Sequence, residues 1–135
     1  MCTVALNKST SQCIGYIINK SEGTHTQYHG HITALSIAKQ YRQLSIGSIL
    51  SKQLSVICDD VYHNYYIDLY VRISNFNAIK LYERLGYSIY RQVMNYYGMN
   101  EHAYDMRLAL SRDTNKESII PHVPFQVQPS ELDHG

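Results

Sequence analysis

The segment YYIDLYVRISNFNAIKLYERLGY, residues 65–87, contains the clearest secondary-structure signal of the chain, because its hydrophobic spacing changes once along its length. In its first half the apolar residues lie two apart, at Ile67, Leu69, Val71 and Ile73. This period of two predicts a β-strand. After Asn75, a residue type that caps helix N-termini, apolar and aromatic residues recur at helical spacing, at Ala78, Ile79, Tyr82 and Leu85. Gly86 then stands where a left-handed residue ends a helix, so the stretch predicts a strand followed by a short helix.

The flanking sequence predicts five further strands and one longer helix. Upstream, three β-prone runs are MCTVAL (1–6), CIGYIIN (13–19) and HGHITALSIA (29–38). Apolar residues at three- and four-residue steps between Leu44 and Val61 then predict an amphipathic helix. Downstream, YSIYRQV (87–93) and YYGMNEHAYDMRLAL (96–110) predict two more strands. The order β-β-β-α-β-α-β-β predicts an α+β fold with a mixed, mostly antiparallel sheet flanked by helices.

Length and composition favour a single globular domain. The chain has 135 residues, of which 44% are hydrophobic and 17% charged, and its net charge is +1. That charge excludes the strongly basic surface of a protein that binds nucleic-acid phosphates. We expect no membrane span and no secretory signal, and three cysteines without CxxC spacing favour a reducing, cytoplasmic environment. From Ser111 onward the chain is polar and holds all three prolines, so residues 111–135 are expected to form a tail, either flexible or laid along a partner.

The segment IAKQYRQLSIGSIL, residues 37–50, joins a predicted strand to the longer helix through a polar turn. Such a junction presents unpaired backbone N–H groups and the positive end of a helix dipole, which favour a pyrophosphate or another anion. Short turns containing glycine are also common as plain connections. Taken alone, this segment leaves both interpretations open.

Two motifs together resemble the GNAT superfamily of acetyl-CoA-dependent N-acetyltransferases. Arg42–Gly47 is similar to the R/Q-x-x-G-x-G/A pyrophosphate loop of that family, with Ser45 in place of its first glycine. Residues 75–87 are similar to the signature N-x-x-A-x-x-x-Y-x-x-x-G-Y. Within the superfamily the chain resembles the catalytic subunits of NatB-type N-terminal acetyltransferases, through YHGHITALSIA (28–38), IDLYVRISN (67–75), AYDMRLALSRDT (103–114) and KESIIP (116–121).

The resemblance implies a GNAT fold in residues 1–110 and acetyl-CoA as co-substrate, with no metal. It implies that the cofactor is bound by Leu35, Ile37, Arg42, Gln43, Ser45, Gly47, Ser48, Asn75 and Tyr82. A Cβ at Ser45 is expected to crowd the pyrophosphate, although its hydroxyl can donate to a phosphate. The family begins with a strand and two helices ahead of the first hairpin seen here, so the sequence is expected to be an N-terminally shortened member.

The resemblance also implies the catalytic groups. Tyr82 would be the acid that protonates the CoA thiolate, whereas spacing alone is typical of an aromatic at the edge of a core. His31 is our candidate for the base that deprotonates the amine, because an ordinary histidine pKa of about 6.5 suits that task. Tyr70 on the adjacent strand is a second candidate, and a shared water relay is an equal alternative.

The substrate would be held by His31, Thr33, Tyr96 and Tyr97. From composition alone, Tyr96 and Tyr97 are equally typical of half-buried rings at a strand end. His29 and His31 would share one face of a strand, as metal ligands do, but no acidic residue or cysteine lies close by in sequence to complete a site. We therefore expect no metal.

The function implied is transfer of acetyl to the N-terminal Met of nascent chains that begin Met-Asp, Met-Glu, Met-Asn or Met-Gln. The implied partners are a helical-repeat auxiliary subunit and, through it, the ribosome. One alternative is a non-catalytic, shortened GNAT-fold protein that only binds the auxiliary subunit. Another is an acetyltransferase for a different amine, such as a polyamine, against which the SRDT…SIIP segment argues.

Overall fold

The computed structural model describes residues 2–6, 13–37 and 46–132. Its strands are β1 (Cys2–Leu6), β2 (Cys13–Glu22), β3 (His29–Ile37), β4 (Tyr66–Arg72), β5 (Ser88–Gly98), β6 (Glu101–Ala109) and β7 (Gln126–Val127). Its helices are α1 (Ile46–Asp60) and α2 (Phe76–Arg84), with short 3₁₀ turns elsewhere. The predicted order of strands and helices is confirmed up to β6.

In these described ranges, one sheet of seven strands runs in the order β1-β2-β3-β4-β6-β5-β7. The pairs β1–β2, β2–β3, β4–β6 and β5–β6 are antiparallel. The pairs β3–β4 and β5–β7 are parallel. The sheet is therefore mixed and mostly antiparallel, which confirms the predicted fold class.

The main core lies between the helices and one face of the sheet. Ile67, Leu69 and Val71, the alternating apolar residues of β4, are buried against Leu50 and Leu54 of α1 and other apolar side chains. Burial of these side chains is the main free-energy gain of the fold, at roughly 1.5–3 kcal/mol for each one fully buried. Neither helix in the described ranges is long and apolar enough to cross a membrane.

The second face of the sheet is also covered, and this differs from the polar tail expected after Ser111. β7 pairs with β5 in the register Gln92↔Gln126 and Val93↔Val127, and Val127 is only 2% exposed. Val127 and Leu132 pack in a second apolar cluster with Val93, Ala103, Tyr70 and Tyr97. A two-residue strand has no readable periodicity, so the sequence shows only the polarity of this segment.

Candidate functional site

The parallel strands β3 and β4 separate from each other before either one ends. Their pairing runs from His29↔Tyr66 to Ile32↔Leu69, although β3 continues to Ile37 and β4 to Arg72. Thr33 lies at a bulge of β3, because Ile18 pairs with Ala34 while the next residue of β2 pairs with Ile32. The Thr33 hydroxyl donates to the Ile18 carbonyl at 3.1 Å. The carboxyl ends of these two parallel strands therefore border an opening, and in open α/β sheets the carboxyl ends of parallel strands are where ligands bind.

The residue pattern after β4 is explained by the geometry of α2. The Asn75 side chain accepts a hydrogen bond from the Ala78 backbone N–H at 3.2 Å, so it caps the helix as predicted. Gly86 has φ +100°, which confirms the predicted left-handed position after the helix. Both features fix where α2 starts and stops relative to the opening.

Tyr82 lies on α2, two turns after its cap, and its side chain is half-buried against the main core. Its ring meets the Tyr87 ring edge-on, with 6.0 Å between the centroids. Burial raises the pKa of the Tyr82 phenol, so the group stays protonated at neutral pH. A protonated phenol is a proton donor, as the predicted role requires.

A histidine–aspartate pair, in which the aspartate is buried and the histidine half-buried, lies on β3 and β4 just before the strands separate. His31 Nδ1 lies 2.7 Å from Asp68 Oδ1, and Asp68 is 3% exposed. Because a carboxylate only accepts, Nδ1 carries the hydrogen and Nε2 is the nitrogen that can take up a proton. Burial lowers the pKa of His31, but the hydrogen bond and charge of Asp68 outweigh it, so the pKa is raised.

Asp68 is the site residue that the sequence analysis missed. The alternation in β4 places Asp68 on the face opposite the apolar residues. In a strand with one solvated face, that polar face would be exposed to solvent. A carboxylate within a strand flanked by tyrosines was the available signal. Its partner His31 lies 37 residues away in sequence, and only the parallel pairing of β3 with β4 brings the two together.

His29 shares the same carboxylate. Its ring stacks on Tyr66 at 4.6 Å, its Nδ1 donates to the Gln27 carbonyl at 2.6 Å, and its Nε2 lies 3.5 Å from Asp68 Oδ1. The Glu22 carboxylate lies 3.6 Å from the same Nε2. Within the described ranges, no group of three or more His, Cys, Asp or Glu is placed to hold a metal ion.

Three tyrosines form an aromatic wall beside His31, which we define as Tyr70, Tyr96 and Tyr97. The Tyr70 ring lies 5.2 Å from the His31 ring and 4.7 Å from the Tyr96 ring. Tyr96 in turn meets Tyr97 at right angles, 5.0 Å between centroids, and the Tyr97 hydroxyl donates to the Tyr70 carbonyl at 3.1 Å. Burial raises the pKa of Tyr70 above the range in which a phenol acts as a base at neutral pH, which favours His31 for that role.

Arg72 holds the end of this aromatic wall in place. Its guanidinium lies 4.2 Å from the centre of the Tyr97 ring, a cation–π contact. It also pairs with Glu101 at 3.1 Å, at the start of β6. The hairpin that carries Tyr96 and Tyr97 is thus tied to the carboxyl end of β4.

Further along the same face lies a buried charge cluster. The fully buried Asp105 accepts from Arg91 Nε at 2.9 Å and from an Arg107 nitrogen at 3.2 Å. The Arg107 guanidinium also lies 3.6 Å from the centre of the Tyr90 ring. A polar cavity of about 330 Å³ separates this cluster from the C-terminal segment, and Asp68 lies on its wall. Arg91 and Arg107 line the same cavity as Asp68, so the charge cluster lies beside the His31–Asp68 pair.

The residues predicted to bind the cofactor are only partly within the described structure. Arg42, Gln43 and Ser45 lie outside the described residues. Gly47 and Ser48 are half-buried in the first turn of α1. Leu35 packs against the main core, and Ile37 is the last residue of β3. Contact of these residues with a cofactor stays a prediction.

Comparison with known proteins adds to this geometry. The model of the acetyltransferase (GNAT) family matches residues 2–87. The chain is 44% identical over 124 residues to the N-terminal acetyltransferase B complex catalytic subunit NAA20 of Arabidopsis thaliana. These aligned residues make up 92% of this chain and 71% of the Arabidopsis protein.

Two solved structures are similar in fold as well as in sequence. Naa20 of Chaetomium thermophilum in complex with a bisubstrate analogue matches with a TM-score of 0.82 and 35% identity, over 94% of this chain and 75% of that one. A chain of the NatB acetyltransferase complex bound to a bisubstrate inhibitor matches with a TM-score of 0.83 and 31% identity, over 96% of this chain and 75% of that one. The similarity extends over most of the chain, as the sequence motifs predicted.

Proposed function

We propose a reaction for this chain from one premise: it belongs to the acetyltransferase (GNAT) family. Enzymes of this family transfer the acetyl group of acetyl-CoA to an amine, and the named relatives are N-terminal acetyltransferase catalytic subunits. The proposed substrate is the N-terminal Met of protein chains that begin Met-Asp, Met-Glu, Met-Asn or Met-Gln. The identity to a NatB catalytic subunit over 92% of this chain supports this class.

The opening between β3 and β4 is the proposed place of the thioester. Past the last strand pair, the backbone of β3 up to Ile37 can donate hydrogen bonds to the pantetheine arm and to the acetyl oxygen. α1 follows β3 and begins at Ile46, so its positive dipole end suits the pyrophosphate. Arg42, Gln43, Ser45, Gly47 and Ser48 are proposed to complete that contact.

In the proposed reaction, the neutral terminal amine attacks the thioester carbonyl. A C–N bond forms, the C–S bond breaks, and the amine loses a proton while the thiolate gains one. His31 Nε2 takes the proton, directly or through a water molecule, and Asp68 stabilises the imidazolium that results. Tyr82 donates a proton to the departing thiolate. Thr33 and the aromatic wall are proposed to hold the peptide.

The observation that carries this proposal is the hydrogen-bonded pair of His31 and the buried Asp68 at the point where the strands separate, beside the aromatic wall. The test is to incubate the purified chain with acetyl-CoA and a peptide beginning Met-Asp, and to measure release of free CoA and the added acetyl group by mass spectrometry. A Met-Leu peptide, the same Met-Asp peptide with a blocked amine, and spermidine are the matched controls. CoA binding without acetylation of any amine would favour the non-catalytic alternative.

We also propose that the chain works in the cytoplasm with a helical-repeat auxiliary subunit, which carries it to ribosomes without direct nucleic-acid contact. A similar chain is found in a NatB complex, which supports a partner of that kind. The outer face of α1 exposes Ile49, Val56 and the nearby Val61, as a partner surface would. Co-purification of the two subunits, followed by the same peptide assay, tests this part of the proposal.

A further inference from the structure

Lys20 lies directly beside His31 on the sheet. The two residues are register partners in the antiparallel pair β2–β3, so their side chains leave the same face. Cross-strand partners of this kind have Cβ atoms roughly 4.5–5.5 Å apart. The Lys20 side chain is 60% exposed, and its Nζ lies 2.8 Å from a Glu22 carboxylate oxygen. Lys20 therefore presents an ammonium group to solvent next to the proposed base.

The other cations described on this face form ion pairs or ring contacts away from the solvent-exposed surface beside His31. Arg91 and Arg107 are buried and pair with Asp105. Arg72 lies at the far end of β4, stacked on Tyr97 and paired with Glu101. Among the residues that the structure describes on this face, Lys20 is the cation that reaches solvent beside His31.

The floor around His31 is otherwise rich in carboxylates. Asp68 and Glu22 both lie within reach of the His29 ring. An acidic side chain that approaches His31 therefore meets two like charges, which disfavour it unless a cation lies nearby. Burial raises the pKa of Tyr96, and the Lys20 ammonium partly opposes that rise, which places Lys20 within electrostatic reach of the aromatic wall.

We propose that Lys20 selects for an acidic second residue in the substrate, its ammonium pairing with that carboxylate while His31 serves the terminal amine. This inference rests on the proposed function. The spacing is compatible, since consecutive Cα atoms of a peptide lie about 3.8 Å apart and register partners such as Lys20 and His31 have Cβ atoms roughly 4.5–5.5 Å apart. Glu22 holds the ammonium in the free protein and can share it with the substrate carboxylate.

The test compares Lys20→Gln and Lys20→Arg with the wild type on two isosteric substrate pairs, Met-Asp against Met-Asn and Met-Glu against Met-Gln. We expect Lys20→Gln to lower kcat/KM on the acidic peptides about fivefold, the upper end for a solvent-exposed ion pair. On the amide peptides kcat/KM should change less than about twofold, because their second residue carries no charge that could pair with the Lys20 ammonium. Lys20→Arg should keep the preference, and added salt should weaken it in the wild type.

Three outcomes would overturn the assignment. If Lys20→Gln lowers kcat/KM equally on acidic and amide peptides, Lys20 only positions Glu22 and β2. If it changes neither, Lys20 has no part in recognition. If the wild type acetylates none of the four peptides, the proposed function is wrong, and the role of Lys20 is wrong with it. If the wild type acetylates the amide peptides but shows no effect of Lys20→Gln on the acidic ones, only the role of Lys20 is wrong. Circular dichroism melts of all three proteins check that the variants are folded.

Discussion

The substitution Asp68→Asn separates the charge of the buried carboxylate from its shape. Asn keeps an oxygen acceptor for the His31 Nδ1–H at the observed 2.7 Å but removes the negative charge that stabilises the imidazolium. Two unit charges about 4 Å apart near a protein surface attract each other by about 4 kcal/mol, and we take the neutral amide dipole to keep roughly half of this. Loss of the remaining stabilisation in the transition state, about 2 kcal/mol, lowers the rate about 30-fold. We therefore expect kcat/KM on a Met-Asn peptide to fall about 30-fold.

The pH dependence gives a second and independent readout. A base must be neutral to accept a proton, so activity rises with pH through the pKa of His31. Burial lowers that pKa, and Asp68 raises it by more, so in the wild type the rise should be centred above the ordinary histidine value. In Asp68→Asn the carboxylate no longer raises the pKa of His31, so the effect of burial lowers that pKa. The rise of activity with pH should therefore shift to lower pH, and the maximal activity should be lower.

The assay is the peptide acetylation rate between about pH 5.5 and 9, with saturating acetyl-CoA. Asp60→Asn is the matched control, because Asp60 is an exposed carboxylate at the end of α1 and should leave both readouts unchanged. A folded Asp68→Asn protein with a rate within twofold of the wild type and the same pH midpoint would refute the His31–Asp68 mechanism.

Three further predictions concern the acid, the cofactor loop and the C-terminal segment. Tyr82→Phe should lower kcat at least about tenfold with CoA affinity kept within a few-fold, because only the hydroxyl is lost; single-turnover rates and calorimetry measure the two. Ser45→Gly should tighten CoA binding by calorimetry, and salt should weaken it, since a Cβ is removed from the loop proposed to bind the charged pyrophosphate. Val127→Ala should cost about 2 kcal/mol in the free energy of unfolding, whereas Val123→Ala, at a position 89% exposed, should change it by less than about 0.5 kcal/mol in urea titrations. An unchanged rate, an unchanged affinity or equal stabilities would contradict these in turn.

The secondary structure could be predicted because its signals are local. The period of two in β4, the Asn75 cap and Gly86 after α2 each depend on residues a few positions apart. The candidate site depends on strand neighbours instead. His31 could be proposed from its chemistry. The parallel pairing that places Asp68 against it could not, because no local pattern around either residue predicts which strands are neighbours.

The burial of the second face of the sheet also could not be predicted from the sequence. Tyr66 and Asp68 alternate with apolar residues, as in a strand with one solvated face, yet both are buried. The cover comes from a segment more than 50 residues further along the chain, whose polar composition resembles that of a tail. Alternation predicts which residues share a face, and only the tertiary arrangement decides whether water reaches it.

The pairing of β7 has a consequence for how the protein behaves among other extended chains. β5 would otherwise be an outer strand, and outer strands offer unpaired N–H and C=O groups to any passing strand. Here the Gln92 N–H donates to the Phe125 carbonyl at 2.8 Å, and the His122 N–H donates to the Tyr90 carbonyl at 2.9 Å. The chain thus closes this stretch of its own sheet border, and β5 is protected from edge-to-edge aggregation at the point where it supports the buried charges.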